Sequence, residues 1–454
     1  MLETGRYFRQ LLLMFVTGAA FIAPADAQSS NETVLFTFGG ANGSAPRTAL
    51  VQGTDGNFYG ASAQGNTIFS ITPAGHFTPL HTLIDTEGSG PTGALAQGSD
   101  GNFYGTAITG GASEAGTVFK FTPQGMLTVL YTFTASADGG SPSGGLTLGS
   151  DGNFYGTTST QGGANGCGTV FRITPAGILT TLYTFEGPAD GCSPAYLIQG
   201  NDGNFYGTTT GGVLNVDTLF RITPTGNLTV LHVFKASNGD GVAPNGALLQ
   251  YSDGSFYGTT SGGGGTADQG TVFKLAPDGT FTTLHVFSGS DGAMPVAGLV
   301  LAPDGGLYGT TENGGSGTNA SSNCMGCFGT EFRITPSGSF GTVYNFTSAP
   351  DGANPEAALA LGNDGSLYGT TAEGGDSSND GTIYRITLSS SSSSSSSSGS
   401  SSSSSSTTSA PGHGGGGATG PSVLIALGIA LLLRLVERTL PTNTVVRRPR
   451  HLRP

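Results

Sequence analysis

Seven times in this chain an oxygen-bearing side chain stands directly before Gly-x-x-Pro: Asn42, Glu87, Asp138, Asp190, Asp240, Asp291 and Asp351. Brought to one rim, such side chains would form an acidic collar that attracts a polar ligand or a cation, calcium being the ion to test. The bland reading is an Asx-type turn ahead of proline, which uses the same residues. No other cofactor is expected. Four cysteines, Cys167, Cys192, Cys324 and Cys327, allow three pairings. A zinc knuckle at Cys324-Met-Gly-Cys327 would need two further ligands nearby, and the sequence offers none there. His81, His232 and His285 occupy a recurring position held elsewhere by Tyr131, Tyr183 and Tyr344, and exchange with Tyr marks a packing slot. Neither His-Glu-x-x-His nor a Gly-x-Ser-x-Gly elbow occurs. Paired acids for glycoside cleavage would have to come from distant segments. The one loop that breaks the pattern, residues 314–329, has only Glu312 and Glu331 at its edges.

These residues ride on a repeat. Asp-Gly-Asn-Phe-Tyr-Gly at residues 55–60 recurs in variants beginning at Asp100, Asp151, Asp202, Asp253, Asp304 and Asp364, spaced by 45, four times 51, and 60 residues. Residues 146–185 serve as the specimen unit. A short apolar run meets residues 154–158 across Asp151-Gly152, an Asp-Gly hairpin signal, and residues 169–174 alternate with period two. Pro175-Ala176-Gly177 then turns the chain into a fourth run ending at Phe185. Four strands per unit of this length predict an all-β, seven-bladed β-propeller of four-stranded blades over residues 28–388. The phase predicts a closed ring. Residues 33–38 (TVLFTF) match a fourth strand, and the last unit stops after its third, GTIYRIT at 381–387.

In such a meander the loop between strands two and three and the loop between blades emerge on one face. The collar residues therefore share a rim beside the channel, and so do Cys167 and Cys192, the favoured disulfide in an exported chain. Cys324 and Cys327 are left to bridge locally. The hairpin Asp reads as a turn former and the Phe-Tyr pairs as packing between blades. Lys120, Arg172, Arg221, Lys274, Arg333 and Arg385 recur on the third strand, as a solvated face or as ion pairs between blades.

Strings such as DGNFYGTTSTQGG at 151–163, GTVFRITP at 168–175 and DGNFYGTTTGG at 202–212 resemble the GloVer tandem repeat of bacterial surface proteins. The resemblance covers nearly all of residues 28–388. It implies a surface or secreted protein and carries no reaction or catalytic residues with it. DGNFYGTT is also similar to the short propeller repeats of sensor kinases, which commonly place Trp where this Trp-free chain has Tyr.

Residues 1–27 read as a signal peptide: Arg6 and Arg9, an apolar stretch, then Ala25-Asp26-Ala27 before Gln28, with cleavage by signal peptidase between Ala27 and Gln28. Residues 389–420 are a Ser/Gly-rich flexible spacer. A short hydrophobic segment at 421–436 and a basic tail at 437–454 follow. Gly414, Gly415, Gly416 and Gly417, the apolar run and Arg434 resemble a glycine-glycine sorting signal cut by a rhomboid-like protease. The chain runs about 20 residues past Arg434, which leaves a retained tail anchor as the other reading. Either way the membrane is met through the C-terminal helix before processing.

Formal charge is divided. Residues 28–388 hold 8 of the 16 basic residues and 26 of the 29 acids, a balance near −18, which argues against nucleic acid as a partner. The expectation is an exported, surface-anchored, non-catalytic module that binds a glycan or protein through its variable loops. The alternatives are an extracellular polysaccharide hydrolase or lyase and a structural envelope component.

Overall fold

The computed structural model describes residues 31–211, 216–316 and 328–388. The segments read from the sequence as a signal peptide, a spacer and a sorting signal, together with Cys324 and Cys327, lie outside the described residues. Within them the chain forms seven four-stranded antiparallel sheets. Blades 1 to 6 span residues 51–82, 96–132, 146–184, 194–233, 249–286 and 300–345. The strand positions read from the specimen unit are borne out within a residue: Leu146–Leu148, Phe154–Thr158, Thr169–Ile173 and Leu179–Thr184. Only two short 3-10 turns, Gly40–Asn42 and Ala236–Asn238, interrupt the β-structure of the described residues.

Blade 7 is built from both ends of this body. Ala360–Leu361, Leu367–Thr371 and Thr382–Thr387 supply three strands and Asn31–Thr37 supplies the outermost. Thr33 lies opposite Arg385 and Val34 opposite Tyr384 in an antiparallel ladder. The ring therefore closes as the repeat phase requires, and the last sheet keeps no unpaired third strand.

The hairpin signature works through its own side chains. Asp151 Oδ1 accepts the Asn153 amide at 3.1 Å, and Oδ2 accepts the Asn153 side-chain amide at 2.7 Å and the Tyr155 hydroxyl at 2.9 Å. Gly152 supplies the left-handed corner with φ +78°. The turn thus fixes where Tyr155 points. Its ring stacks on Phe205 of the next blade at 3.9 Å, as Tyr104 does on Phe154 and Tyr59 on Phe103, both at 4.0 Å. Phe58 stacks on Tyr368 across the closure at 4.0 Å. Each such ring buried between blades is worth about 1.5–3 kcal/mol.

The third-strand cations pair within blades rather than between them where they pair at all. Arg333 donates to Asp304 at 2.8 Å and Lys274 to Asp253 at 3.2 Å, each using its own hairpin Asp. Cross-strand register explains the preference, because Arg333 lies opposite Tyr308, whose hydroxyl donates to Asp304.

Candidate functional site at the mouth of the axial channel

Sheet order puts the first strand of every blade at one edge and the fourth at the other. First strands of neighbouring blades touch, as those of blades 2, 3 and 4 do and those of blades 6 and 7, so they surround the axis. Loops between blades pair with the following blade's loop between strands two and three, through Ser89 with Thr109, Gly140 with Thr160 and Ala353 with Glu373. This is the shared loop face expected from the sequence. Cys167 and Cys192 meet on it in a disulfide with Cα atoms 4.4 Å apart.

The collar residues occupy that face, but their carboxylates turn away from the axis. Asp138 accepts the Tyr131 hydroxyl at 3.0 Å, the Thr134 amide at 2.8 Å and the Thr134 hydroxyl at 2.6 Å. Asp190 accepts Tyr183 at 2.8 Å and Asp351 accepts Tyr344 at 2.8 Å. Histidine takes the tyrosine's place in three blades: His81 with Glu87 at 2.8 Å, His232 with Asp240 at 3.1 Å and His285 with Asp291 at 3.0 Å. In blade 7 the slot holds Phe36, which cannot donate, and the matching collar residue is the uncharged Asn42. The Tyr or His of the packing slot and the acid of the collar are thus one device.

The six acids of the collar, though not Asn42, also reach forward. The backbone carbonyl of Asp190 accepts Thr218 at 3.0 Å, and that of Asp351 accepts Thr382 at 3.1 Å, both from the third strand of the next blade. The carboxylate grips one blade and the carbonyl the other, which makes the collar a ring of staples. Gly139, at φ +83°, shows why Gly follows the acid, for a Cβ there would run into Thr158. Burial works to raise the Asp138 carboxyl, but donors from Thr134, Tyr131 and Ser136 outweigh it and hold it below the usual range. Among the described residues no three His, Cys, Asp or Glu side chains are placed to share a metal ion.

Among the described residues that lead into the inner strands, charge stands in one sector. Residues following the loop proline lead into the inner strands, and they are Arg47, Thr92, Ser143, Ala195, Asn245, Val296 and Glu356 for blades 1 to 7 in the order 1, 2, 3, 4, 5, 6, 7. Arg47 of blade 1 meets Glu356 of blade 7 at 3.2 Å. Glu312 of blade 6 and Glu373 of blade 7, each just beyond a second strand, complete the group. Burial pushes the Glu356 carboxyl up to about 6, with Glu312 and Glu373 adding to the rise and Arg47 opposing it. Glu312 is raised by burial and by Glu373, against Arg47 and a hydrogen bond from Asn313. A carboxyl of that kind exchanges protons closer to neutrality than an ordinary glutamate does. Sequence reasoning noticed Glu312 but missed Arg47, Glu356 and Glu373. A column-by-column reading of the repeats, with small or uncharged residues at the same places in blades 2 to 5, carries the signal.

Seven four-stranded blades, closed by the N-terminal strand and bearing charge at one sector of the loop face, define a seven-bladed repeat propeller. Solved structures similar to it include a streptogramin B lyase, at 17% identity over 79% of this chain and 98% of that chain, TM-score 0.56. Another is a catalytically inactive virginiamycin B lyase from Staphylococcus aureus with quinupristin, at 17% identity over 79% and 99%, TM-score 0.54. A third is the extracellular domain assigned to a hybrid two component system of B. thetaiotaomicron, at 12% identity over 78% of this chain and 41% of that chain, TM-score 0.52. At these identities the likeness is one of fold. A search of curated proteins finds no significant match to the sequence. The chain belongs to the Gloeobacter/Verrucomicrobia repeat family, whose profile matches residues 17–160, 62–250 and 215–420.

Proposed function

We propose that this protein is an exported binding or adhesion module, held at the cell surface, that takes a polar extracellular ligand at the channel mouth between blades 6, 7 and 1. The observation behind this reading is the grouping of Arg47, Glu312, Glu356 and Glu373 in one sector, where the repeat otherwise places small or uncharged residues. Fixed carboxylates with one guanidinium suit the hydroxyls and amino groups of a glycan better than an anion. The described ends of the sequence insertion, residues 314–316 and 328–329, join the second and third strands of blade 6, and variable loops on a rigid scaffold are where recognition residues accumulate. The histidine–acid pairs do not argue for catalysis, because tyrosine–acid pairs fill the same places in other blades.

A glycan array probed with the purified protein tests this. Binding that falls at least tenfold in Glu356→Gln and in Arg47→Ala, with the fold retained, supports the site; binding unchanged in both refutes it. The second reading, a polysaccharide hydrolase or lyase, draws on the raised Glu356 carboxyl beside Glu312 and Glu373, since acid–base cleavage needs acids of unequal pKa. New reducing ends or unsaturated products from a polysaccharide panel, lost in Glu356→Gln, would favour it.

A further inference from the structure

Every seam between neighbouring blades is made by the same three columns of the repeat, and one seam departs in all three. On the third strand an aliphatic residue faces a Phe of the next blade in six seams: Ile68 with Phe119, Val118 with Phe171, Val170 with Phe220, Leu219 with Phe273, Val272 with Phe332 and Ile383 with Phe69. Between blades 6 and 7 the same places hold Glu331 and Tyr384, both fully buried. Further out, the first residue of the fourth strand packs on the preceding blade's slot residue, as Phe340 stacks on His285 at 3.6 Å and Phe281 on His232 at 3.9 Å. Against Tyr344 of blade 6 the equivalent residue is Glu32. Both Glu331 carboxylate oxygens, Glu32 Oε1 and the Tyr384 hydroxyl are buried without a hydrogen-bond partner among the described residues.

We propose that the seam between blades 6 and 7 is a pH-responsive clasp, closed while its carboxyls carry protons and loosened as they ionise. Blade 6 presents Glu331, Tyr344, Tyr308 and, at the mouth, Glu312, with Asp351 in the connecting loop. Blade 7 presents Tyr384, Glu32, Glu356 and Glu373. Arg47 of blade 1 is the cation at the mouth, and Arg333 is engaged by Asp304 at the opposite end of the seam. Acids therefore face one another across this seam near the axis, and further out Glu32 of blade 7 bears electrostatically on Glu331 of blade 6, as Asp351 of the connecting loop does on Glu32. A neutral carboxyl donates a hydrogen bond and tolerates an apolar surround, whereas two carboxylates at close quarters repel and must be hydrated.

The direction follows from the shifts. Burial, then Asp351, lifts Glu32 from 4.5 to about 7. Burial, then Glu32, lifts Glu331 well above 4.5, and Glu356 rises to about 6. Groups with a raised folded pKa contribute stability that is fully present below the unfolded value of 4.5 and is lost as pH rises through 6 and 7. The clasp thus loosens on passing from mildly acidic to neutral surroundings.

Thermal unfolding of the purified protein from about pH 5 to about pH 8, joined to hydrogen exchange, tests the proposal. The melting temperature should fall across that range, and amides of Asn31–Thr37 and Thr382–Thr387 should lose protection before those of Phe154–Thr158. Glu331→Val with Tyr384→Phe restores the apolar pair of the other seams and should remove at least half of the fall. Glu331→Gln, which keeps volume and polarity but cannot ionise, should do the same should the double variant not fold. A wild-type melting temperature that is flat or rises with pH overturns the proposal. So does an undiminished fall in Glu331→Gln, since that would mark general repulsion in an acidic protein.

Discussion

The seam between blades 2 and 3 and the seam between blades 6 and 7 share a backbone plan and one edge-to-face ring contact, Phe133 with Phe171 and Phe346 with Tyr384, and differ in the polar groups set among the rings. In the first, Val118 packs with Phe171, Phe133 meets Phe171 edge to face at 5.3 Å, and Tyr104 stacks on Phe154. In the second, Glu331 faces Tyr384 and Tyr308 finds Leu367 in place of a second ring. A ring can bear this because its other seams hold the blades in register, so one contact can give up apolar burial without losing the fold. A repeat architecture separates the question of how a protein stands up from the question of what it does.

Moving the difference is the most severe way to probe it. Val118→Glu places an acid against the Phe171 ring, which has no hydroxyl to meet it as Tyr384 has, and it should destabilise by about 3–5 kcal/mol at neutral pH, with a smaller loss near pH 5, read by denaturant unfolding. The seam between blades 3 and 4 is fastened covalently, and Cys167→Ala with Cys192→Ala should cost about 3 kcal/mol without altering the pH response of the seam between blades 6 and 7. Smallest is the outer staple. Tyr131→Phe removes one of several donors to Asp138 and should cost about 1 kcal/mol, whereas Tyr344→Phe, beside Glu32, should also steepen the fall of stability with pH.

Much of the fold could be read from the sequence because each repeat states its turn chemistry in full. Asp151-Gly152-Asn153 names its hairpin, and TVLFTF at 33–38 names the strand that the final unit lacks. The Cys167–Cys192 bridge, favoured among three pairings because strand direction sets both cysteines on one rim of a chain read as exported, is the one the structure contains. The collar was harder. Its residues do share a face, but a carboxylate goes to the nearest donor, and the Tyr or His that claims it sits six to eight positions upstream on the outer strand. That partner was seen as a packing slot, and the two series were not connected. Glu32, Glu331 and Tyr384 were hidden for another reason. Glu331 stood out only as the edge of an irregular loop, Glu32 and Tyr384 are unremarkable in their own segments, and the three meet only because the first described strand lies beside the last blade, about 300 residues away along the chain.

Closure has a mechanical side. Thr382–Thr387 is bordered by Leu367–Thr371 on one edge and Asn31–Thr37 on the other. Tension applied at residue 388 along that strand would therefore load two ladders in shear, with many hydrogen bonds strained together, where a pull on an outermost strand would strain a single ladder. A body grasped at this point resists traction through the same strand pairing that seals it.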